Sequence, residues 1–313
     1  LGAYIYGSSF TFGMLRRPLA SLNVRSFPQI CSVPGVLCRS MSEVVANSTS
    51  NGVPIASSVD IAGNIATIKS KICDAALAAG RDPSAVDLVA VSKFKPVADI
   101  QACYDTGHRL FGENYFQELL EKTAELPCDV RWHFIGHLQS SKANKLIREV
   151  PNLAAVETVD GMKLAEKLNS ACELAGREDP LNVYIQVKTS DEDSKSGVSA
   201  TSFDVEIPQP DAAGNVSDAS PDKRTELEVL FDYITISCPR LRLEGLMTIG
   251  APGDMTCFTK LCNARDHLVG RAATISIIPI ELKLSMGMSG DFETAIAGGS
   301  DIVRVGSSIF GSR

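Results

Sequence analysis

The chain has 313 residues, of which 44% are hydrophobic, and a formal net charge of −7. No stretch reaches the ~20 consecutive apolar residues that a membrane-spanning helix needs, so the sequence excludes a helical membrane protein. The nine cysteines contain no CxxC pair, which favours reduced thiols in a reducing compartment over a disulfide framework. The acidic balance, without a basic run in the globular part, does not indicate a nucleic-acid partner.

The first 42 residues differ in composition from the rest of the chain. They contain no Asp or Glu, and their four basic residues are Arg16, Arg17, Arg25 and Arg39. This composition is typical of an organellar, for example mitochondrial, transit peptide. One alternative is a disordered tail that carries no targeting signal. Another is that translation starts at Met41 instead of Met14, which predicts a cytoplasmic product. We expect residues 1–57 to be transit peptide and linker, and residues 58–313 to form one domain.

Helix and strand patterns alternate from Ser58 onward. Isoleucines spaced three or four residues apart, from Ile61 to Ile72, predict a leading helix that ends at Gly80. Helical segments then separate eight short apolar runs, and the first of these segments begins at Pro96, because proline fits a first helical turn. The eight runs predict strands, which are Asp87–Lys93, Arg109–Gly112, Trp132–Ile135, Leu153–Glu157, Val183–Val187, Leu243–Met247, Glu281–Met286 and Ile302–Val305.

Eight strand–helix repeats after one leading helix predict an α/β fold, a single closed (β/α)8 TIM barrel. The alternative is an open doubly wound sheet, which normally has a glycine fingerprint after its first strand. The segment Ser92–Lys95 contains no glycine, which favours the barrel. Two stretches lie outside the repeat. One is a polar insertion at about 199–225, whose deletion we expect to leave ligand binding intact, and the other is the apolar, β-prone Ala272–Ile280.

Lys93 lies at the C-terminal tip of the first predicted strand, after the apolar run Leu88–Val91. Burial lowers the pKa of an ammonium group and leaves a neutral amine that can attack a carbonyl carbon. Lys93 is therefore a candidate for Schiff-base formation. A lysine that snorkels from a strand end to solvent is the commoner alternative.

Two Ser/Gly segments follow the last two predicted strands, and they are Ser285–Gly290 and Arg304–Ser308. In TIM barrels, phosphate groups commonly bind the loops after strands seven and eight, where glycines let backbone N–H groups approach and hydroxyls add donors. A helix predicted to begin at Ser289 would add its positive end. Either segment alone fits an ordinary turn, but together with Lys93 they form a specific combination.

Seven short motifs, in chain order, carry a resemblance to a known family. They are Ala90–Pro96, Phe111–Tyr115, Trp132–Gly136, Lys195–Gly197, Gly245–Gly250, Ser285–Ser289 and Ile309–Gly311. They resemble motifs of the pyridoxal phosphate homeostasis proteins, the YggS/PROSC family, and the resemblance runs from about Ile61 to Arg313. It implies a fold like the N-terminal barrel domain of alanine racemase.

The resemblance implies pyridoxal 5′-phosphate (PLP) as the cofactor, with Lys93 as the Schiff-base lysine. Lys95 matches a second family lysine that does not form the bond, and Arg304 matches the arginine that faces the pyridine nitrogen. The positions that match phosphate-holding residues are Ser289, Gly306 and Ser307, the last of which is usually threonine in relatives. The positions that match other residues of the cofactor pocket are Asn114, His133 and Met247.

The expected function is intracellular PLP homeostasis, in which the protein holds PLP reversibly and delivers it to PLP-dependent apoenzymes. The alternatives are a PLP-dependent amino-acid racemase or decarboxylase of the same fold, and a phosphate-binding barrel without PLP. Racemisation needs two bases, and the second base of alanine racemase comes from an extra domain of its partner subunit. We expect no such domain after the eighth strand, and therefore a non-catalytic protein and a monomer.

The histidines do not indicate a metal site. His133 and His137 are four residues apart, but they flank Gly136 at a strand end instead of sharing one face of a helix. We therefore predict no zinc site. His108 and His267 are predicted to be surface residues.

Overall fold

The computed structural model shows a closed parallel β-barrel surrounded by helices, and it describes residues 59–190, 196–199, 224–251, 253–275 and 280–312. The strands in these residues are β1 (Asp87–Val91), β2 (Leu110–Glu113), β3 (Arg131–Phe134), β4 (Leu153–Val159), β5 (Leu181–Lys188), β6 (Val198–Ser199), β7 (Leu241–Met247), β8 (Lys283–Ser285) and β9 (Ile302–Val305). The predicted (β/α)8 fold is confirmed.

Eight of these strands close the barrel in the order β1-β2-β3-β4-β5-β7-β8-β9. The ring closes where β9 pairs with β1, with Val303 beside Leu88, and every neighbouring pair is parallel. The short strand β6 lies outside the ring and pairs with the end of β5. The sequence did not predict β6, because a two-residue strand is too short to show a hydrophobic period.

The α-helices in the described residues are α1 (Ile61–Ala78), α2 (Val97–Asp105), α3 (Phe116–Glu125), α4 (Ala143–Glu149), α5 (Met162–Leu174), α6 (Glu226–Ser237), α7 (Thr256–Thr274), α8 (Phe292–Ala297) and α9 (Ser307–Phe310). The leading helix α1 follows the predicted stripe, since its isoleucines from Ile61 to Ile72 are buried. Its N-cap is Asp60, whose side chain accepts a hydrogen bond from the backbone N–H of Gly63.

Three boundaries differ from the prediction. Strand β1 ends at Val91, so Lys93 lies in the turn after the strand. The helix after β8 is Phe292–Ala297, the range that its helical pattern predicts, so Ser289 lies in the loop before the helix and not at its start. Helix α7 continues to Thr274 and covers the start of the stretch that was predicted to be β-prone.

Some predictions fall on residues outside the described part. These are the transit peptide and linker, Lys195, and residues 200–223 of the polar insertion. The insertion ends in a capping box, in which the Thr225 side chain and Glu228 bond each other's backbone N–H groups at the start of α6. Within the described residues, no helix is both long and apolar enough to cross a membrane.

The interior of the barrel has an apolar layer and, beyond it, a polar layer. The apolar layer consists of Val89, Leu110, Ala155, Tyr184, Met247 and Ile302. Residues two positions further along a strand point to the same side. Glu157 follows Ala155 in this way on β4, and Arg304 follows Ile302 on β9. Since all strands of the ring are parallel, these charged residues lie toward the carboxyl ends, where barrel ligands bind.

Candidate functional site

A cavity of about 390 Å³ lies at the carboxyl ends of the barrel strands. Its wall includes seven of the eight residues predicted to contact a cofactor, which are Lys93, Asn114, Met247, Ser289, Arg304, Gly306 and Ser307. The fold therefore brings the end of β1 and the loops after β8 and β9 to one cavity, although they are far apart in the chain.

The two lysines after β1 have different environments. Both border the cavity, but the Lys95 ammonium donates to the carbonyl oxygens of Phe310, Gly311 and Ser312, at 2.8, 3.0 and 3.1 Å. An ammonium group has three protons, so these three acceptors engage Lys95 fully. Lys93 is half-buried in the cavity wall. Spacing in the sequence could not make this distinction.

Arg304 is a buried part of the cavity wall, with 5% of its surface exposed. Its Nη1 donates to Ser285 Oγ at 2.6 Å, and its Nη2 donates to the Thr248 carbonyl oxygen at 2.6 Å. Ser285 Oγ in turn donates to Glu157 Oε2 at 2.6 Å. These hydrogen bonds fix the plane of the guanidinium group.

Glu157 contacts both Arg304 and His133. Its Oε1 lies 2.5 Å from His133 Nδ1. Burial raises the pKa of Glu157, but the hydrogen bond and charge of His133, the charge of Arg304 and the Ser285 hydroxyl outweigh burial and hold this pKa below its ordinary value. Glu157 is therefore ionised at neutral pH. Burial lowers the pKa of Arg304, and the charges of Glu157 and Asp291 oppose that effect.

His133 is the eighth residue predicted to contact a cofactor. Within the described part of the chain it is buried beside Glu157 and does not form part of the cavity wall. Its connection to the cavity runs through Glu157 and Ser285 to Arg304. A direct contact between His133 and a ligand stays a prediction.

The two Ser/Gly loops meet beside the end of β1. The backbone N–H of Gly306 donates to Ser289 Oγ at 3.2 Å, and the backbone N–H of Arg304 donates to the Gly287 carbonyl at 3.0 Å. A Cβ atom on Gly306 would lie 3.1 Å from the carbonyl oxygen of Val91. The loops predicted to bind phosphate thus contact the strand end that precedes Lys93.

Asn114 offers a direct test of whether the wall suits a ligand. Its side-chain Oδ1 is buried and has no hydrogen-bond partner in the described residues. A buried acceptor of this kind is normally satisfied, so one in a cavity wall is suited to a ligand donor or to water. The amine of Lys93, the Ser/Gly loops and the guanidinium of Arg304 suit a ligand with a carbonyl group at one end and an anionic group at the other. The residues present therefore fit PLP.

Sequence reasoning missed three charged residues near the site and misplaced one histidine. Glu157 lies inside a buried strand whose other residues, apart from Thr158, are apolar, and that pattern was an available signal, because a charge is rarely buried without a partner. Glu113 and Lys122 are also buried and form an ion pair of 2.6 Å. Burial raises the pKa of Glu113, and Lys122 opposes this effect. His108 was predicted to lie at the surface, and this was wrong, because the side chain packs under Phe111 with 7% exposed.

No family model matches the chain. Curated relatives do, and the pyridoxal phosphate homeostasis protein of Schizosaccharomyces pombe is 45% identical over 232 residues, which cover 72% of this chain and 84% of that protein. The protein of the same name from Escherichia coli K12 is 38% identical over 258 residues, which cover 81% of this chain and 97% of that protein. The chain belongs to the pyridoxal phosphate homeostasis protein family. The member from Mus musculus is 42% identical over 238 residues.

Solved structures agree with membership of the pyridoxal phosphate homeostasis protein family. PipY from Synechococcus elongatus, solved without PLP, is 30% identical with a TM-score of 0.61, and the match covers 80% of this chain and all of PipY. PipY solved with PLP bound is 28% identical with a TM-score of 0.57. Alanine racemase from Streptomyces coelicolor is 20% identical with a TM-score of 0.54, covering 82% of this chain and 59% of the racemase. The racemase confirms the predicted likeness of fold alone.

Proposed function

We propose that residues 58–313 bind PLP as a reversible Schiff base on Lys93 and serve intracellular PLP homeostasis. The observation that carries the proposal is one cavity wall that contains Lys93, Arg304 and both Ser/Gly loops. The name shared by relatives from mammals, yeast and bacteria supports it. The structure of the relative PipY with PLP bound supports the choice of ligand.

Lys93 supplies the covalent bond. Its ammonium group must first lose a proton to solvent, since only the neutral amine is a nucleophile. The amine nitrogen then adds to the aldehyde carbon, the carbonyl oxygen leaves as water, and a C=N bond replaces C=O. Addition of water reverses the step and returns the free aldehyde. The bond on Lys93 is therefore suited to storage and release.

The Ser/Gly loops hold the phosphate end. Ser289 and Ser307 offer hydroxyl donors, and Gly306 lets the main chain come close to the ligand. Because the chain has a net charge of −7, its overall field does not attract an anion, and these local donors must do so. A ligand must therefore reach the loops and Lys93 together, which selects for an aldehyde that carries a phosphate.

Arg304 favours a role in binding PLP over a role in catalysing reactions of PLP. A guanidinium group has only donors, so Arg304, if it faces the pyridine nitrogen of PLP as the resemblance implies, would pair with that nitrogen in its unprotonated form. PLP is a strong electron sink when that nitrogen is protonated and held by a carboxylate. Ser285 and Thr248 fix the guanidinium plane, and Glu157 balances its charge. The site thereby stabilises the bound cofactor without promoting carbanion chemistry.

A borohydride-trapping experiment tests the proposal. The purified protein is incubated with PLP, reduced with borohydride, which converts C=N to a stable secondary amine, and mapped by peptide mass spectrometry. We expect the adduct on Lys93, its loss in Lys93→Ala, and its retention in the matched control Lys95→Ala. Absence of an adduct on Lys93 contradicts the proposal. Amino-acid turnover at ~1–10³ s⁻¹ that requires Lys93 contradicts the non-catalytic part.

Delivery to apoenzymes is a further part of the proposal, for a protein that acts as a monomer. The loaded protein is mixed with a PLP-dependent apoenzyme, and recovery of that enzyme's activity is timed. Direct delivery predicts recovery faster than PLP dissociates from the loaded protein into buffer. Recovery limited by that dissociation rate contradicts direct delivery, and sedimentation of the loaded protein tests the monomer.

We propose that residues 1–42 direct the protein to an organelle. Their support is compositional, namely arginines without acidic residues. Residues 1–57 fused to a fluorescent protein should localise to an organelle, and the control fusion has all four arginines replaced by glutamine. Diffuse cytoplasmic fluorescence from the unaltered fusion contradicts the targeting proposal.

A further inference from the structure

The main chain on both sides of Lys93 is held by side chains of helix α3. The carbonyl oxygen of Ser92, just before Lys93, accepts a hydrogen bond from Lys122 Nζ at 2.8 Å. The backbone N–H of Phe94, just after Lys93, donates to Glu118 Oε1 at 2.6 Å. The two peptide groups next to the reactive lysine are therefore fixed by one helix.

Phe94 has an unusual backbone conformation. Its φ of 61° lies in the left-handed region, and it is the only non-glycine residue with a positive φ in the described part of the chain. A bulky L-residue rarely adopts this conformation, and it persists only where the surroundings impose it. Two hydrogen bonds impose it: the Phe94 N–H donates to Glu118, and the Lys95 N–H donates to the Ser92 carbonyl oxygen at 3.0 Å and closes the turn. The conformation turns the chain immediately after Lys93.

Glu118 belongs to a charge cluster around the buried Lys122. Lys122 Nζ donates to Glu113 Oε1 and to Glu118 Oε1, both at 2.6 Å, in addition to Ser92. The Ser92 hydroxyl donates to the same Glu113 oxygen at 2.6 Å. An ammonium group has three protons, so these acceptors account for all of them. The cluster therefore has a single well-defined geometry.

Such a cluster is a poor choice for stability alone. Apolar side chains of similar volume commonly stabilise a protein as well as a buried ion pair does, because burial removes the hydration of both charges. Buried charges with shifted pKa values, such as Glu113, cluster at functional sites. Here the charges of Glu118 and Lys122 meet the two peptide groups that flank Lys93.

We propose that Glu118, anchored by Lys122, is a positioning residue for Lys93: it sets the turn at Phe94 that aims the amine at the ligand carbonyl. This inference rests on the proposed Schiff base at Lys93. Gly306 packs against Val91, so the phosphate loops have a fixed position relative to the end of β1. The turn at Phe94 then determines where the Lys93 amine lies relative to those loops. A loosened turn displaces the amine while the loops remain in place.

Glu118 is the residue to replace, because its side chain is partly exposed, and Lys122 keeps Glu113 as counter-charge without it. Loss of Lys122 would instead leave Glu113 buried without its cation. Glu118→Ala removes the acceptor for the Phe94 N–H, whereas Glu118→Gln keeps an acceptor oxygen of the same reach. Glu121→Ala is the matched control, because it removes an exposed carboxylate from the same helix.

The experiment uses full-length protein and PLP, and it measures the rate constant of Schiff-base formation and the competition by inorganic phosphate. We expect Glu118→Ala to form the bond about 10- to 100-fold more slowly than the wild type, as for a displaced reacting group. Its affinity for inorganic phosphate should equal that of the wild type. Glu118→Gln should recover most of the rate, and Glu121→Ala should match the wild type.

Two outcomes overturn the positioning role. One is an unchanged rate in Glu118→Ala. The other is a parallel loss of rate, phosphate affinity and thermal stability, since this would show general structural damage. A wild-type protein that forms no bond at Lys93 would overturn the proposed function itself, so the two failures are distinguishable.

Discussion

Glu157 Oε2 lies 3.8 Å from Arg304 Nη1, and the hydroxyl of Ser285 lies 2.6 Å from each of them. Glu157 is fully buried, and its other oxygen contacts His133. The carboxylate therefore joins a histidine and an arginine in the polar layer of the barrel. Arg304 forms part of the cavity wall, whereas Glu157 does not and compensates the charge of Arg304 from the barrel interior.

We predict that Glu157→Gln lowers the free energy of unfolding by about 3–5 kcal/mol, because it removes the larger of the two negative charges that compensate the buried Arg304. Urea unfolding at pH 7 measures the change. Glu173→Gln, which alters an exposed carboxylate on α5, is the control and should change stability by less than about 0.5 kcal/mol. Equal stability of the two variants would show that Glu157 does not balance Arg304.

The stability that Glu157 contributes should depend on pH. The pKa of Glu157 is lowered in the folded protein, so this contribution is fully present above the ordinary glutamate pKa of about 4.3 and is lost as the pH falls through the folded value. The difference in stability between the wild type and Glu157→Gln should therefore shrink at acidic pH. A stability difference that grows on acidification would show that the pKa of Glu157 is raised, not lowered, in the folded protein.

Replacing Lys93 and Lys95 in turn should separate binding from stability. Lys95→Met removes three hydrogen bonds to carbonyls of the C-terminal segment, so we expect about 1.5–3 kcal/mol less stability with the borohydride-trapped adduct retained. Lys93→Met should lose the adduct and keep its stability within about 1 kcal/mol. Thermal denaturation and peptide mass spectrometry of both variants measure the two effects. Loss of the adduct in Lys95→Met and its retention in Lys93→Met would show that Lys95, and not Lys93, binds the ligand covalently.

The barrel could be predicted because its strands are short apolar runs in the sequence, separated by segments whose apolar residues recur with the period of a helix. The buried strand β4 and the leading helix α1 are examples in which period and burial agree. The end of β1 was placed two residues too late, since Lys93 continues the alternation of Val89 and Val91. The turn depends on Phe94 at positive φ, and a phenylalanine gives no local signal for that conformation.

The cavity-wall residues came from the resemblance and from the Ser/Gly loops, whereas the charges behind them could not be read locally. Glu118 and Lys122 are spaced like a surface ion pair of a helix. Only the tertiary fold brings Glu113 and Ser92 against them and makes the pair a buried anchor. The role of such residues depends on contacts between distant segments, and one sequence does not show those contacts.

Two glycines of the loop after β8 should respond differently to alanine. Gly287 has a φ of +92°, and a Cβ atom there would lie 2.5 Å from the Cβ of Ala295. Gly290 has open space around the equivalent position. We predict a loss of about 1–3 kcal/mol for Gly287→Ala, from backbone strain and overpacking, and less than about 0.5 kcal/mol for Gly290→Ala. Urea unfolding of the pair measures this. Equal losses would show that the loop yields to an added methyl group.

His108 should make the protein less stable in mild acid. Burial lowers the pKa of His108 to about 4, and its Nε2–H donates to the Leu110 carbonyl at 2.7 Å in the neutral form. Below the ordinary histidine pKa of about 6.5, the unfolded chain takes up a proton that the folded protein accepts only near pH 4. Stability is therefore lost between these pH values, by about 3.4 kcal/mol at most for this residue.

His108→Gln removes the titrating group and can keep a donor for the Leu110 carbonyl. We predict that this variant gains about 2 kcal/mol relative to the wild type when the pH is lowered from 7 to about 4.5, because the unfolded variant has no histidine to protonate at this position. Urea unfolding at the two pH values measures the change. His137→Gln removes an exposed histidine and serves as the control. If the stability of both variants changes with pH as that of the wild type does, His108 has the same pKa in the folded protein as in the unfolded chain.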